Sequence, residues 1–443
     1  MARTSSRSPR TVADELTPVL HQMLGPDIPF ALRAWDGSSI GPTDPPVTID
    51  VHSPSAVQHL MWSPNELGLA RAHVSGALDI DGDIFDFLAV RDLMVQRDPD
   101  VSLKLGLRGS MRLAGSLRRL GLLGRRPPLP AEELRPRGRL HTRSRDAAAI
   151  AHHYDVSNDF YRILLGPSMT YSCAYWYEDG LDLADAQEAK YELICRKLGL
   201  RSGMRLLDVG CGWGSMAIHA AKHHGAVVVG ITISEAQAEL ARRRVAEAGL
   251  ARRVEIRVQD YRDVDDDPFD AISSIGMFEH VGEQQMAEYL TDLKGLVRTE
   301  GRILNHAISR PNPDDNAGVD PKSFMGRYVF PDAALLEVGT VVSAMQRTGL
   351  EVRDVQSLRE HYALTLRAWV ANLEADWDEV QRLVGPGRAR VWRLYLAGCA
   401  LGFEQARTSI HQVLAVRTSE DGTASVPATR STFEVDRDHP VDH

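Results

Sequence analysis

Residues 206–214 read Leu-Leu-Asp-Val-Gly-Cys-Gly-Trp-Gly. An apolar run ending on Asp208 is the pattern of a buried strand. Gly210, Gly212 and Gly214 then permit a tight turn, with backbone close to a ligand, before a helix starts near Ser215. Strand, glycine-rich turn and helix form the binding corner of a doubly wound α/β sheet, where ligands sit at the carboxyl ends of strands. The spacing is G-x-G-x-G, which matches neither the G-x-G-x-x-G of dinucleotide folds nor the G-x-x-x-x-G-K-[ST] of phosphate loops. Further along, Ser-Ile-Gly-Met-Phe-Glu-His-Val-Gly (274–282) places two titratable groups, Glu279 and His280, just after another strand. Upstream, residues 154–176 are dense in aromatic side chains around Tyr171-Ser172-Cys173.

The glycine turn resembles motif I of the S-adenosylmethionine (SAM) methyltransferases, and that resemblance implies SAM as the ligand. Asp208 would then accept hydrogen bonds near the methionine half of SAM. Many such enzymes place an acid at the tip of the second strand to hold the ribose. Here Thr232, Ser234 and Gln237 occupy that region, so neutral polar groups would do the holding. After the third strand, Asp260 and Tyr261 are the candidates to grip the adenine, and Tyr171 and Ser172 complete the expected cofactor set. Thr-x-Ser is also a common helix cap, so the order and spacing of the pieces carry the reading rather than any one of them.

Six stretches resemble the cyclopropane-fatty-acyl-phospholipid synthases and the related mycolic-acid modifying methyltransferases. They are Y-D-V-S-N-D-F-Y (154–161), Y-S-C-A-Y-W (171–176), L-D-V-G-C-G-W-G (207–214), G-M-F-E-H-V-G (276–282), R-Y-V-F-P (327–331) and T-L-R-A-W (365–369). The resemblance implies a class I SAM-dependent methyltransferase with a Rossmann-like doubly wound sheet, joined to a smaller N-terminal α+β domain. It implies methyl transfer from SAM to the double bond of an unsaturated, oleoyl-type acyl chain in a membrane phospholipid. The resulting carbocation would be deprotonated by a bound bicarbonate ion. Carried over residue by residue, Glu279 and His306 would hydrogen-bond the ion, Cys173 and Ile308 would lend backbone groups, and Tyr362 its hydroxyl. Tyr171, Tyr175 and Phe278 are candidate aromatic faces for the cation. Asn-His-Ala-Ile-Ser-Arg-Pro (305–311) looks most like an actinobacterial branch that makes tuberculostearic-type (10-methylstearic) acids. Ala307 would there remove a hydroxyl beside the base. That branch implies a 10-methylene or methyl-branched precursor, with a separate reductase as partner; cyclopropane ring closure shares the first step and is the alternative. A methyltransferase for a soluble small molecule is the more distant alternative.

The elements that must position these residues follow from periodicity. Strands are expected at 204–209, 227–231, 254–258, 269–274 and 302–308, alternating with helices, which implies a parallel sheet. Before them, 13–100 reads as an α+β domain with helices at 13–23, 53–60 and 84–95 and strands at 30–35 and 47–51. Residues 101–124 have helical period, with Lys104, Arg108 and Arg112 in a row and Arg118 and Arg119 further on. Such a basic amphipathic helix suits an anionic lipid surface, and 125–139 reads as a linker. The expected divisions are a disordered tail at 1–12, the α+β domain at 13–100, helix and linker at 101–144, the methyltransferase domain at 145–416 and a disordered tail at 417–443.

Among the 443 residues, 43% are hydrophobic and 25% charged, with a net charge of −9. The acidic balance argues against general nucleic-acid binding, although 101–145 holds twelve Arg or Lys against only Glu132 and Glu133. The four cysteines show no C-x-x-C spacing, so no metal is expected and a reduced, cytoplasmic setting is. The basic start lacks the apolar core of a secretory signal, and no run is long enough to span a bilayer. These features together favour a cytoplasmic protein visiting the inner face of the membrane; a homodimer stays open.

Overall fold

The computed structural model describes residues 10–435 apart from 26, 98–106, 123, 125, 135–156, 313, 315–317 and 332–333. The chain forms two compact units. One comprises residues 1–135, 322–328 and 385–398; the other comprises 136–321, 329–384 and 399–443. The units therefore do not follow the expected linear division. The smaller one recruits two later segments, and the Pro386–Glu404 helix is divided between the units.

In the smaller unit, β1 (Ala31–Arg33) pairs antiparallel with β2 (Ser39–Ile40) and parallel with β3 (Val47–Val51), which pairs antiparallel with β4 (Leu78–Gly82). The Val12–Leu24 helix starts on a capping box at Thr11, whose side chain accepts from Asp14 N while Asp14 accepts from the Thr11 amide. Strands β2 and β4 and the Glu66–Val74 helix were not expected: they are short or lack clear amphipathic spacing. Buried Arg71 donates to both carboxylate oxygens of Glu133 at 2.7 Å each, and Asp79 accepts from Arg390 at 2.8 Å. Residues 385–398 thus join this unit in part through a charge pair that periodicity does not reveal.

The larger unit is built on a seven-stranded sheet of β5 (Arg205–Val209), β6 (Val227–Thr232), β7 (Val254–Val258), β8 (Phe269–Ile275), β9 (Val297–Ser309), β10 (Glu351–Ser357) and β11 (Ser409–Val416). Its order is β10-β11-β9-β8-β5-β6-β7, parallel except that β11 runs antiparallel to both neighbours. The chain starts in the middle at β5, builds outward through β6 and β7, and then returns to the other side at β8. The switch point lies between β5 and β8, which places the binding crevice beyond their carboxyl ends. One face is covered by the helices Leu183–Leu198, Ser215–His223 and Glu235–Glu247, the other by Met286–Leu296 and Val338–Arg347. Strand β10 escaped the sequence reading because a charge is buried in it: Asp354 meets Lys197 Nζ at 3.0 Å, both side chains 2% exposed. The expected tail at 417–443 is ordered as far as it is described. Phe433 joins the core under the sheet, and Val435 packs with Ala189 and Leu193.

Candidate active site

A cavity of about 190 Å³ opens at the switch point. Of the expected cofactor residues, Tyr171, Ser172, Asp208, Gly210, Gly212, Thr232, Gln237, Asp260 and Tyr261 line it. Gly214 and Ser234 do not line it and act one step back. Gly214, at φ +82°, caps the Ser215–His223 helix, and a Cβ there would stand 3.2 Å from Ala241 Cβ. Ser234 caps the next helix by accepting from Gln237 N at 3.3 Å, while its own amide donates to Thr232 Oγ1 at 3.2 Å. Thr232 Oγ1 in turn donates to Gln237 Oε1 at 2.9 Å, so the neutral cluster at the β6 tip is pre-formed.

The other two glycines of the turn differ in purpose. Gly210, at φ +76°, has no room for a side chain, since a Cβ would fall 2.4 Å from Met277 Cγ. Gly212, at φ +53°, faces open space.

Asp208 is buried at the end of β5. Ser273 Oγ donates to its Oδ1 at 2.7 Å, whereas Oδ2 is buried without a partner, and burial pushes the carboxyl up to about 6. Lys190, on the Leu183–Leu198 helix, is a lining residue that the sequence reading missed. It is fully buried, donates to Ser172 Oγ at 3.0 Å, and burial pushes its amine down to about 7. The local sequence, Ala-Lys-Tyr-Glu-Leu-Ile-Cys (189–195), does not set this lysine apart, because solvent-facing lysines on helices look the same. Gln285, Met277 and Trp213 also line the cavity and were not singled out as cofactor contacts. Tyr171 stacks on Trp369 with centroids 5.1 Å apart.

The five expected base-pocket residues lie off that lining, but hydrogen bonding ties them into one continuous structure next to it. Gly276, on the lining, donates its amide to the His306 carbonyl at 2.9 Å. Glu279 Oε1 accepts from the Ile308 amide at 2.7 Å. Ile308 pairs with Ile410 across β9 and β11, and Ile410 O accepts from the Leu358 amide at 2.9 Å. The Leu358 carbonyl accepts from the Tyr362 amide at 3.1 Å and from Cys173 Sγ at 3.7 Å. Among the buried polar atoms without partners in this region are Glu279 Oε2 and His306 Nε2. Gln412 Nε2 lies 3.2 Å from His306 Nδ1. Burial pushes Glu279 up to about 7 and holds His306 neutral, well below its ordinary value. Both atoms keep hydrogen-bonding capacity that the protein does not use.

Two expectations change, those for Ile308 and Ala307. The Ile308 amide is spent on orienting Glu279 and is not a free donor. Cys173, expected only to lend backbone groups, has its thiol raised far above the ordinary range by burial, in keeping with a residue that is no nucleophile. Ala307 does not stand beside the base: alternation along β9 puts it with Ile303 in the core of the opposite sheet face. Of the candidate aromatic faces, Tyr171 reaches the cavity, whereas Phe278 is a core residue edge-on to Tyr289 at 5.9 Å. Tyr175 packs 5.0 Å from His361. The side chain of His280 is outside the described residues.

Mycolic acid cyclopropane synthetases match residues 141–413, well over half of the chain. The chain belongs to that family. It is 42% identical over 411 residues to a probable fatty acid methyltransferase of Mycobacterium tuberculosis, covering 90% of this chain and 93% of the relative. It is 32% identical to the tuberculostearic acid methyltransferase of the same organism, covering 88% of each, and 38% identical to the cyclopropane-fatty-acyl-phospholipid synthase of Escherichia coli, covering 61% and 68%. Among solved structures it resembles a mycolic acid cyclopropane synthase complexed with SAH and CTAB. There the TM-score is 0.58 and the identity 34%, over 61% of this chain and 98% of the other. This member of the family is accordingly a class I SAM-dependent methyltransferase, and the cavity at the switch point is where its residues suit SAM: an unpartnered Asp208 oxygen, a glycine facing open space and a pre-formed polar cluster at β6.

Proposed function

We propose that the protein transfers the methyl group of SAM to the double bond of an unsaturated acyl chain in a membrane phospholipid, at the inner face of the cell membrane. The observation that carries this is the pair of unpartnered atoms, Glu279 Oε2 and His306 Nε2, next to the SAM cavity. Transfer to an oxygen or nitrogen acceptor needs only a base on that acceptor. An alkene acceptor leaves a carbocation, and a base must remove a proton from carbon in a dry site. SAM supplies the electrophilic methyl. Glu279 and His306 would hold bicarbonate as that base, with Tyr362 contributing its hydroxyl and the Ile308 amide fixing Glu279.

The product we favour is the exocyclic methylene, the precursor of a methyl branch, with reduction by a separate enzyme. Its support is the likeness to the tuberculostearic acid methyltransferase over 88% of both chains. The position of Ala307 gives no physical ground for the choice. The test is incubation of purified protein with SAM and dioleoyl phospholipid vesicles, followed by mass spectrometry of the released fatty acids. The expected result is a gain of one CH2 per modified chain, and gas chromatography separates methylene from ring. Unmodified vesicles alongside methylation of a soluble amine or phenol would overturn the proposal.

A further inference from the structure

Away from the methyl-transfer site, the Leu183–Leu198 and Ser215–His223 helices bring four ligand-type side chains together. Glu192 and Cys195 stand one turn apart on the first helix, while His219 lies midway along the second and His224 caps its C-terminus. Ligand atoms of Cys195, His219 and His224 all lie within 4.8 Å of one another. The Nε2 atoms of both imidazoles converge on Glu192 Oε2, at 3.4 Å from His219 and 2.9 Å from His224. Cys195 is fully buried and His219 is 5% exposed, whereas the His224 side chain is 18% exposed.

We propose that Cys195, His219, His224 and Glu192 form a structural site for a divalent transition metal, zinc by ligand type. One thiolate, two imidazoles and one carboxylate are borderline-soft ligands in the number that tetrahedral zinc takes. Bond lengths of about 2.0 Å to N or O and 2.3 Å to S imply ligand–ligand edges of about 3.3–3.8 Å. The 2.9 Å His224–Glu192 edge would widen slightly, and the edges among Cys195, His219 and His224, none above 4.8 Å, would close by at most about 1.5 Å. On binding, the Cys195 thiol loses its proton to solvent, and the +2 ion is balanced by thiolate and carboxylate. The assembled site is then neutral, which suits its burial. Arg196 Nε donates to Glu192 Oε1 at 2.7 Å, holding the carboxylate from outside as supporting groups do around metal ligands. The partly exposed His224 marks the entry path. The sequence reading saw no metal because the cysteines lack paired spacing; two helices, not one loop, assemble these ligands. The metal would staple both helices below the cavity, since Tyr191, on the lining, sits 5.5 Å from the His219 ring.

The test uses full-length protein stripped by chelator and titrated with Co2+ and then Zn2+. Expected are a thiolate-to-cobalt charge-transfer band at one equivalent, its removal by zinc, and a rise in melting temperature with zinc. Cys195→Ser should abolish the band. His224→Ala, at a partly exposed helix end where folding is not at risk, should weaken zinc binding by about tenfold or more. No band in the wild type, a band that survives in Cys195→Ser, or unchanged zinc affinity in His224→Ala would each overturn the site and leave a metal-free Glu192–histidine hydrogen-bond network.

Discussion

Under the proposed function, Glu279 concentrates the chemistry into one side chain. Its Oε1 is held by the Ile308 amide and its Oε2 is buried without a partner, so the carboxylate would position a base without being one. Only the ionised form accepts from the ion's O–H. Because burial raises this carboxyl from the ordinary 4.5 to about 7, the competent fraction grows as pH rises through about 7. Turnover on vesicles should therefore fall below neutral pH with a midpoint near 7, at saturating SAM. Glu279→Gln keeps shape but loses the charge. It should leave SAM affinity by calorimetry within about twofold while turnover drops by at least about 100-fold. Retained activity in that variant would remove Glu279 from the base pocket. Asp208 and Lys190 show the same lesson on the cofactor side, since both are fully buried titratable groups with ordinary values shifted by burial toward neutrality.

The turn between β5 and the Ser215–His223 helix is the element whose glycines can be told apart by experiment. All three have positive φ, which costs a residue with a Cβ about 1–2 kcal/mol. For Gly210→Ala the added methyl meets Met277 inside the protein, so a loss of melting temperature is expected beyond the conformational term. For Gly212→Ala it meets nothing of the protein, and the stability loss should stay near that term. The methyl would instead occupy space left for ligand, and SAM affinity should weaken by about tenfold or more, roughly 1.4 kcal/mol. Differential scanning fluorimetry and calorimetry on the two variants check the contrast. Equal SAM affinity in Gly212→Ala and wild type would show that the ligand does not approach there.

The basic helix is a question for the whole molecule, because its value depends on which of its charges the fold has already used. The described helix is Leu107–Arg119, with 101–106 outside the described residues. Leu117 is buried, and Arg119 donates to Glu15 on the Val12–Leu24 helix at 2.8 and 2.6 Å, so part of the segment serves its own unit. Arg118 is exposed. No helix among the described residues is long and apolar enough to cross a membrane. A surface visit to lipid must then rest on charge and on partly inserted apolar side chains such as Met111, 60% exposed. Replacing Arg108, Arg112 and Arg118 by Gln should weaken binding to anionic vesicles several-fold, by about 1 kcal/mol per charge at low ionic strength, and less at high salt. Vesicle affinity that does not change in a co-sedimentation assay would return the helix to an internal packing role.

The parallel strands, the glycine turn and the motifs that mark the family were legible in the sequence, because they are local patterns. A strand is an apolar run, a turn is a set of glycines at fixed spacing, and each motif is contiguous. The tertiary structure alone decided what depends on distant segments meeting. It made 322–328 and 385–398 part of the smaller unit and buried Asp354 against Lys197, which hid β10 from any hydrophobicity reading. It packed 417–435 into the larger unit, and it turned Ala307 away from His306. It also placed Lys190 inside the cavity and joined Cys195 to His219 and His224 across two helices. Burial and the pairing of buried charges are properties of the folded interior, set by which surfaces face each other, and no spacing along the chain encodes them by itself.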